Sequence, residues 1–70
     1  MTVATTTEAF ASLRNLKNAA AKFLAANPAA TAIAYNLRIS HVETMEIWVD
    51  RNGDAWDHNP ADSSTKRRPA

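Results

Sequence analysis

The stretch that decides the fold runs Met45-Glu46-Ile47-Trp48-Val49-Asp50-Arg51-Asn52-Gly53-Asp54-Ala55-Trp56-Asp57-His58. Its first half alternates apolar and polar side chains, the period of a strand with one face turned to a core. Asn52-Gly53 then interrupts the pattern and holds the only glycine of the chain. Asn and Gly best tolerate positive φ at both centres of a type I′ turn, so the spacing predicts a hairpin with a two-residue loop. Such a loop sets Val49 opposite Trp56, Trp48 opposite Asp57 and Ile47 opposite His58.

Upstream, Ala32-Ile33-Ala34-Tyr35-Asn36-Leu37-Arg38-Ile39 places its large apolar residues on alternate positions. The alternation reads as a strand. The rival reading is a second helix with Asn27 as N-cap and Pro28 in the first turn, which the alanines would support. Before it, Phe10, Leu13, Leu16, Ala20, Phe23 and Leu24 recur at three- and four-residue steps, predicting an amphipathic helix near Thr7 to Ala25. Thr5 or Thr7 can cap it, Thr5-x-x-Glu8 has capping-box spacing, and Asn27-Pro28 stops it. Residues 1–5 are expected to fray.

The expected fold is therefore α+β: a small two-layer domain with one N-terminal amphipathic helix packed on a three-stranded antiparallel meander, α-β-β-β. Residues 1–60 make the single domain, and residues 61–70 read as a disordered basic tail carrying Lys66, Arg67 and Arg68. The helix would cover Ile33, Tyr35, Leu37, Ile39, Met45, Ile47, Val49 and Trp56. The other sheet face would carry Ala32, Ala34, Asn36, Arg38, Glu46, Trp48, Asp50 and Asp57. Trp48 stands out there, because aromatic residues are enriched where proteins meet partners. A bland account also exists: Trp48 lies over Arg38 or Ala34 and only stabilises the sheet.

Composition narrows the function. At 70 residues with no cysteine, the chain has no disulfide framework, thiolate zinc site or cysteine nucleophile. So small a core is marginal alone, which favours self-association or docking on another protein. Net charge is +1, too small to argue for nucleic acid or an anionic membrane. Charge is unevenly spread, however, with residues 43–57 at −4 and residues 8–24 at +2. The opening lacks a basic segment followed by an apolar one, and no apolar run nears a membrane span, so the expectation is a cytoplasmic protein.

Chemical sites fare poorly in the sequence. Asp50-Arg51-Asn52-Gly53-Asp54 puts its glycine fourth, where a calcium loop needs it sixth, and a turn explains it better. His41 and His58 find no third ligand, so neither metal nor cofactor is expected. Ser40-His41 are neighbours in sequence, which seldom aligns nucleophile and base. One glycine cannot build a phosphate-cradling loop, and so short a chain leaves no room for a pocket of several hundred cubic ångströms.

The leading expectation is a non-enzymatic protein-interaction or regulatory module, self-associating, of the kind that phages and mobile elements carry as accessory proteins. Its contact would be Trp48 with Arg38, Glu46, Asp50 and Asp57. One alternative is a nucleic-acid-binding module that stacks bases on the open sheet and neutralises phosphates with Arg38 and the tail, although the nearby carboxylates oppose it. Another is an acidic nucleic-acid mimic that inhibits a basic partner through Glu43, Glu46, Asp50, Asp54 and Asp57.

Overall fold

A computed structural model describes residues 3–68. In chain order the elements are β1 (Val3–Phe10), α1 (Leu13–Ala26), β2 (Ala32–Arg38), β3 (Thr44–Asp50), β4 (Ala55–Asn59) and β5 (Ser64–Arg67). They form one helix and one five-stranded sheet of order β1-β2-β3-β4-β5. β1 runs parallel to β2, and every later neighbour is antiparallel. The α+β class stands, but the three-stranded meander is corrected to a mixed sheet with an added strand at each edge.

The first correction lies at the N-terminus. Val3, Thr5, Thr6 and Thr7 are β-branched and stiff at χ1, which suits a strand better than a first helical turn. Val3–Thr5, expected to fray, pair with Ala32–Ala34; Met1 and Thr2 lie outside the described residues. The β1–β2 register shifts between Thr5 and Ala9, so the middle of β1 bulges, and the Thr6 hydroxyl accepts from Glu8 N–H at 3.0 Å. The helix starts later than expected. Ser12 is its N-cap, with an extended backbone and a side chain that accepts from Asn15 N–H.

The helix ends where Asn27-Pro28 demands. Asn27 donates its side-chain amide to Phe23 O at 2.8 Å. Arg51 reaches over from the β3–β4 turn and donates to Leu24 O at 2.8 Å and Asn27 O at 2.6 Å. The guanidinium adds a second donor to carbonyls that already accept from Asn27 N–H and Ala30 N–H, and it sits at the negative end of the helix dipole. The loop thus locks the helix to the sheet.

One side of the sheet faces α1, which lies mainly over β2 with β1 and β3 beside it. Leu16, Ala20 and Leu24 from the helix meet Ile33, Tyr35, Leu37, Ile47, Val49 and Ala55 from the strands. Leu16, Ile33 and Ile47 are fully buried, each contributing about 1.5–3 kcal/mol relative to an exposed position. Phe10 still reaches this core, but from β1: its ring meets Tyr35 edge-on at 5.1 Å. Burial and, next, the Glu8 carboxylate push the Tyr35 phenol above its ordinary pKa. Ile39, expected in the core, lies past the end of β2 and is 53% exposed.

The second correction is the hairpin register. Val49 pairs with Ala55, Trp48 with Trp56, Ile47 with Asp57 and Glu46 with His58. The cause is the loop. Gly53 N–H donates to Asp50 O, and Asp50 N–H donates to Asp54 O, so three residues rather than two turn the chain. Gly53 alone in this loop has positive φ, +84°, as in the three-residue loop that combines a type I turn with a left-handed glycine. Asn52 therefore does not play the part that a type I′ turn would give it. One extra loop residue moves every β4 side chain to the opposite face. Trp56 leaves the helix side for the open one, and Asp57 does the reverse.

The third correction concerns the tail. Ser64–Arg67, expected to be disordered, pair with β4 as Asn59↔Ser64, His58↔Thr65, Asp57↔Lys66 and Trp56↔Arg67. Asn59 Oδ1 accepts from Ala61 N–H and Asp62 Oδ1 from Ser64 N–H, both at 3.0 Å, which shapes the turn. Arg68 continues the ladder by donating to Ala55 O, and its guanidinium lies 2.8 Å from Asp57 Oδ1 on the helix side. Pro69 and Ala70 lie outside the described residues.

Candidate partner-binding face

The sheet face away from α1 is built in cross-strand rows. Its central row is Ala34, Trp48, Trp56 and Arg67, taken across β2, β3, β4 and β5. The row beside it is Asn36, Glu46, His58 and Thr65. On the other side Ala32 stands opposite Asp50. Directly opposed side chains on a sheet have Cβ atoms about 4.5–5.5 Å apart, so each row is a set of touching neighbours.

Both indoles are held at their N–H edges. Trp48 Nε1 donates to Glu46 Oε2 at 2.6 Å, and Trp56 Nε1 donates to Asp50 Oδ2 at 3.1 Å. Asp50 is further fixed because its other oxygen accepts from Asn52 N–H at 2.9 Å and Asp54 N–H at 3.0 Å. The carboxylate that shapes the turn thus also orients a tryptophan. Trp48 stacks on the His58 ring with centroids 4.4 Å apart and planes 15° apart. His58 Nε2 lies 3.9 Å from Glu46 Oε2, too far for a hydrogen bond, and its Nδ1 is buried without a hydrogen-bond partner.

Alanines on β2 leave space next to these rings. Ala32 and Ala34 are almost fully buried although α1 lies on the opposite side of the sheet. An open depression of about 400 Å³ is lined by Ala32, Trp48, Trp56, Asp50, Arg51 and Thr65 among others. So short a chain was expected to leave no room for a hollow of that size; it forms because the hairpin register puts Trp56 on the open face beside Trp48. Charges are sparsely paired around it. Among the described residues Asp50 makes no ion pair, and Glu46 meets only His58, which carries charge only if protonated. Arg51 lines the depression but directs its guanidinium to the helix end. Arg67 approaches Asp54 at 4.0 Å, a loose contact with a largely exposed side chain.

Of the expected site residues, Trp48, Glu46 and Asp50 share this face, and Arg38 stands at its end opposite Thr44. Asp57 is across the sheet, paired with Arg68. Of the tail cations Arg67 joins the open face, whereas Lys66 and Arg68 fall on the helix side. The five acidic residues weighed as a phosphate mimic do not form one row: Glu43 is in the β2–β3 loop and Asp57 on the other face. Trp56 and His58 are the members that sequence reasoning missed, and the loop length would have found them.

Among the described residues, no group of three or more His, Cys, Asp or Glu side chains is placed to hold a metal ion. No described helix is long and apolar enough to cross a membrane. No protein-family model matches the chain, and neither a curated protein nor a solved structure matches it.

Proposed function

We propose that this chain is a non-enzymatic protein-binding module that self-associates through its open sheet face. The observation that carries the reading is the Trp48–Trp56 cross-strand pair, with each indole N–H tied to a carboxylate of the same chain. Rings fixed in this way lose little conformational entropy on contact, which is what makes aromatic residues effective at interfaces. The two tryptophans project from the side of the sheet that no helix covers. The size of the chain adds a motive, since a 70-residue domain gains stability from a partner.

Sedimentation velocity across a wide concentration series, run beside indole and amide NMR spectra, tests this. The expected result is mass-action association, with the Trp48 and Trp56 indole signals moving and the helix amides still. A chain that stays monomeric, or that associates while the indole signals stay fixed, overturns it.

A second reading is favoured by one feature, the cation Arg67 directly opposite Trp56. A stacking ring beside a positive charge suits single-stranded nucleic acid. Glu46 and Asp50 on the same face oppose a phosphate backbone. Saturable indole shifts with a short oligonucleotide, lost at high salt, would put this reading first.

A further inference from the structure

We propose that the depression beside Trp48 and Trp56 is a binding site for a small organic cation of the quaternary ammonium class. The inference goes beyond the self-association reading and does not rest on it, although both concern the open sheet face. The two tryptophans are cross-strand partners, and both line the hollow of about 400 Å³ together with Ala32 and Asp50. A cation is attracted to an indole when it lies within about 6 Å of the ring centroid, and Trp attracts it best among aromatic side chains. Trp48 already gives one face to His58, with centroids 4.4 Å apart, so a ligand in the hollow meets Trp56 and only the remaining side of Trp48.

The hydrogen bonds of this face select the class of ligand. Both indole N–H groups are engaged by carboxylates, Trp48 by Glu46 at 2.6 Å and Trp56 by Asp50 at 3.1 Å. Neither ring keeps a donor for a neutral or anionic ligand, and an anion at each indole edge makes the ring faces more negative.

Asp50 offers charge with little spare hydrogen-bonding capacity. Its Oδ1 accepts from Asn52 N–H and Asp54 N–H, and its Oδ2 accepts from Trp56. All three donors are neutral, and among the described residues Asp50 makes no ion pair. Arg51 also lines the hollow, but its guanidinium is bonded to Leu24 O and Asn27 O; Arg67 leans to Asp54. An ammonium or guanidinium would bring several donors to a carboxylate whose acceptor sites are mostly filled. A quaternary ammonium brings charge and no donor, which is the complement of electron-rich rings beside such a carboxylate.

The test titrates choline chloride into the full chain at low protein concentration and constant ionic strength, reading the two indole NMR signals. Beside it runs the neutral isostere in which a quaternary carbon replaces the nitrogen of choline. Choline is expected to move both signals saturably, with a dissociation constant on the order of 1 mM, the level of a few weak cation–ring contacts. The isostere should bind at least about fivefold more weakly, because it lacks the charge. Glu46→Gln keeps an acceptor for Trp48 N–H but removes the charge at that ring, and should weaken choline about threefold. Glu43→Gln makes the same charge change in the β2–β3 loop and should have less than about half that effect. No saturable shift, equal binding of the isostere, or equal weakening by both Gln variants overturns the site. A chain that binds choline yet stays monomeric supports the site and removes only the self-association reading.

Discussion

Ile47 and Trp48 are neighbours on β3, yet they sit in opposite surroundings. Ile47 is sealed between sheet and helix, and nothing but volume and shape holds it there. Trp48 is half-buried and held by direction: a hydrogen bond to Glu46, a stack on His58 and a cross-strand neighbour in Trp56. One face of the sheet is thus built by exclusion of water and the other by polar anchoring of rings. The helix-covered face carries stability, and the open face keeps apolar area available without letting the rings wander.

The widest gap between the faces should appear on truncation. Ile47→Ala opens a cavity in a fully buried site and should cost about 2–5 kcal/mol. Trp56→Ala removes a larger side chain from a half-buried position and should cost only about 1–2 kcal/mol, while abolishing association. Urea unfolding of each variant, with sedimentation alongside, checks both halves. Equal losses of stability would mean that the open face is a second core, and the contrast drawn here would fail.

The two faces meet through Arg51, which leaves the hairpin beside the tryptophans and ends on the helix carbonyls of Leu24 and Asn27. Arg51→Ala should destabilise by about 1–2 kcal/mol, since two hydrogen bonds from a charged donor are lost at a partly exposed site. Faster hydrogen exchange in the last helical turn, with the Trp48 and Trp56 indole signals unmoved, is the expected pattern. Indole signals that shift as well would show that the helix end also positions the open face.

How much of this was legible follows the same division. The helix stripe, the alternation in β2 and β3 and the placement of Trp48 on the face away from the helix could be read, because burial on one side imposes a period. β1 was missed because Phe10 continues the helical spacing of Leu13 and Leu16, although Thr5-Thr6-Thr7 argued locally for a strand. β5 was missed because Ser64-Thr65-Lys66-Arg67 buries almost nothing and is held by backbone bonds to β4, which leave no hydrophobic pattern. The register of the site rested on one loop residue. Asn52-Gly53 is compatible with a two-residue and a three-residue turn, and the Asp50 side chain, accepting from Asn52 and Asp54, favours the longer one.

Gly53 therefore pins the assignment of faces. Its φ of +84° disfavours any side chain, while a Cβ there would meet nothing within 4 Å. Gly53→Ala should cost about 1 kcal/mol through backbone strain alone. Trp56 should keep its place, which nuclear Overhauser contacts between its ring and Trp48 would record. If the loop instead shortened by one residue, Trp56 would swing towards the helix side and Asp57 would return to the open face, exchanging the two surroundings that the hairpin now separates.

The smallest effect concerns the β4–β5 turn, which extends the open face and lies farthest from the helix. Hydrogen bonds from the Ser64 side chain and backbone hold the Asp62 carboxyl below its ordinary pKa. A carboxyl with a depressed folded-state pKa adds stability above its unfolded value and loses that contribution as pH falls through the folded one. Asp62 is fully exposed, so the consequence is local: protonation releases Ser64 N–H and loosens the entry to β5. Amide shifts of Ser64 and Thr65 followed into acid should therefore titrate, while those of Ile33 and Ile47 on the helix-covered face stay level. Asp62→Asn keeps an acceptor that does not titrate and should flatten the β5 response. If the Ile33 and Ile47 amides titrate together with Ser64, the turn and the core open as one unit, and the independence of the two faces is lost.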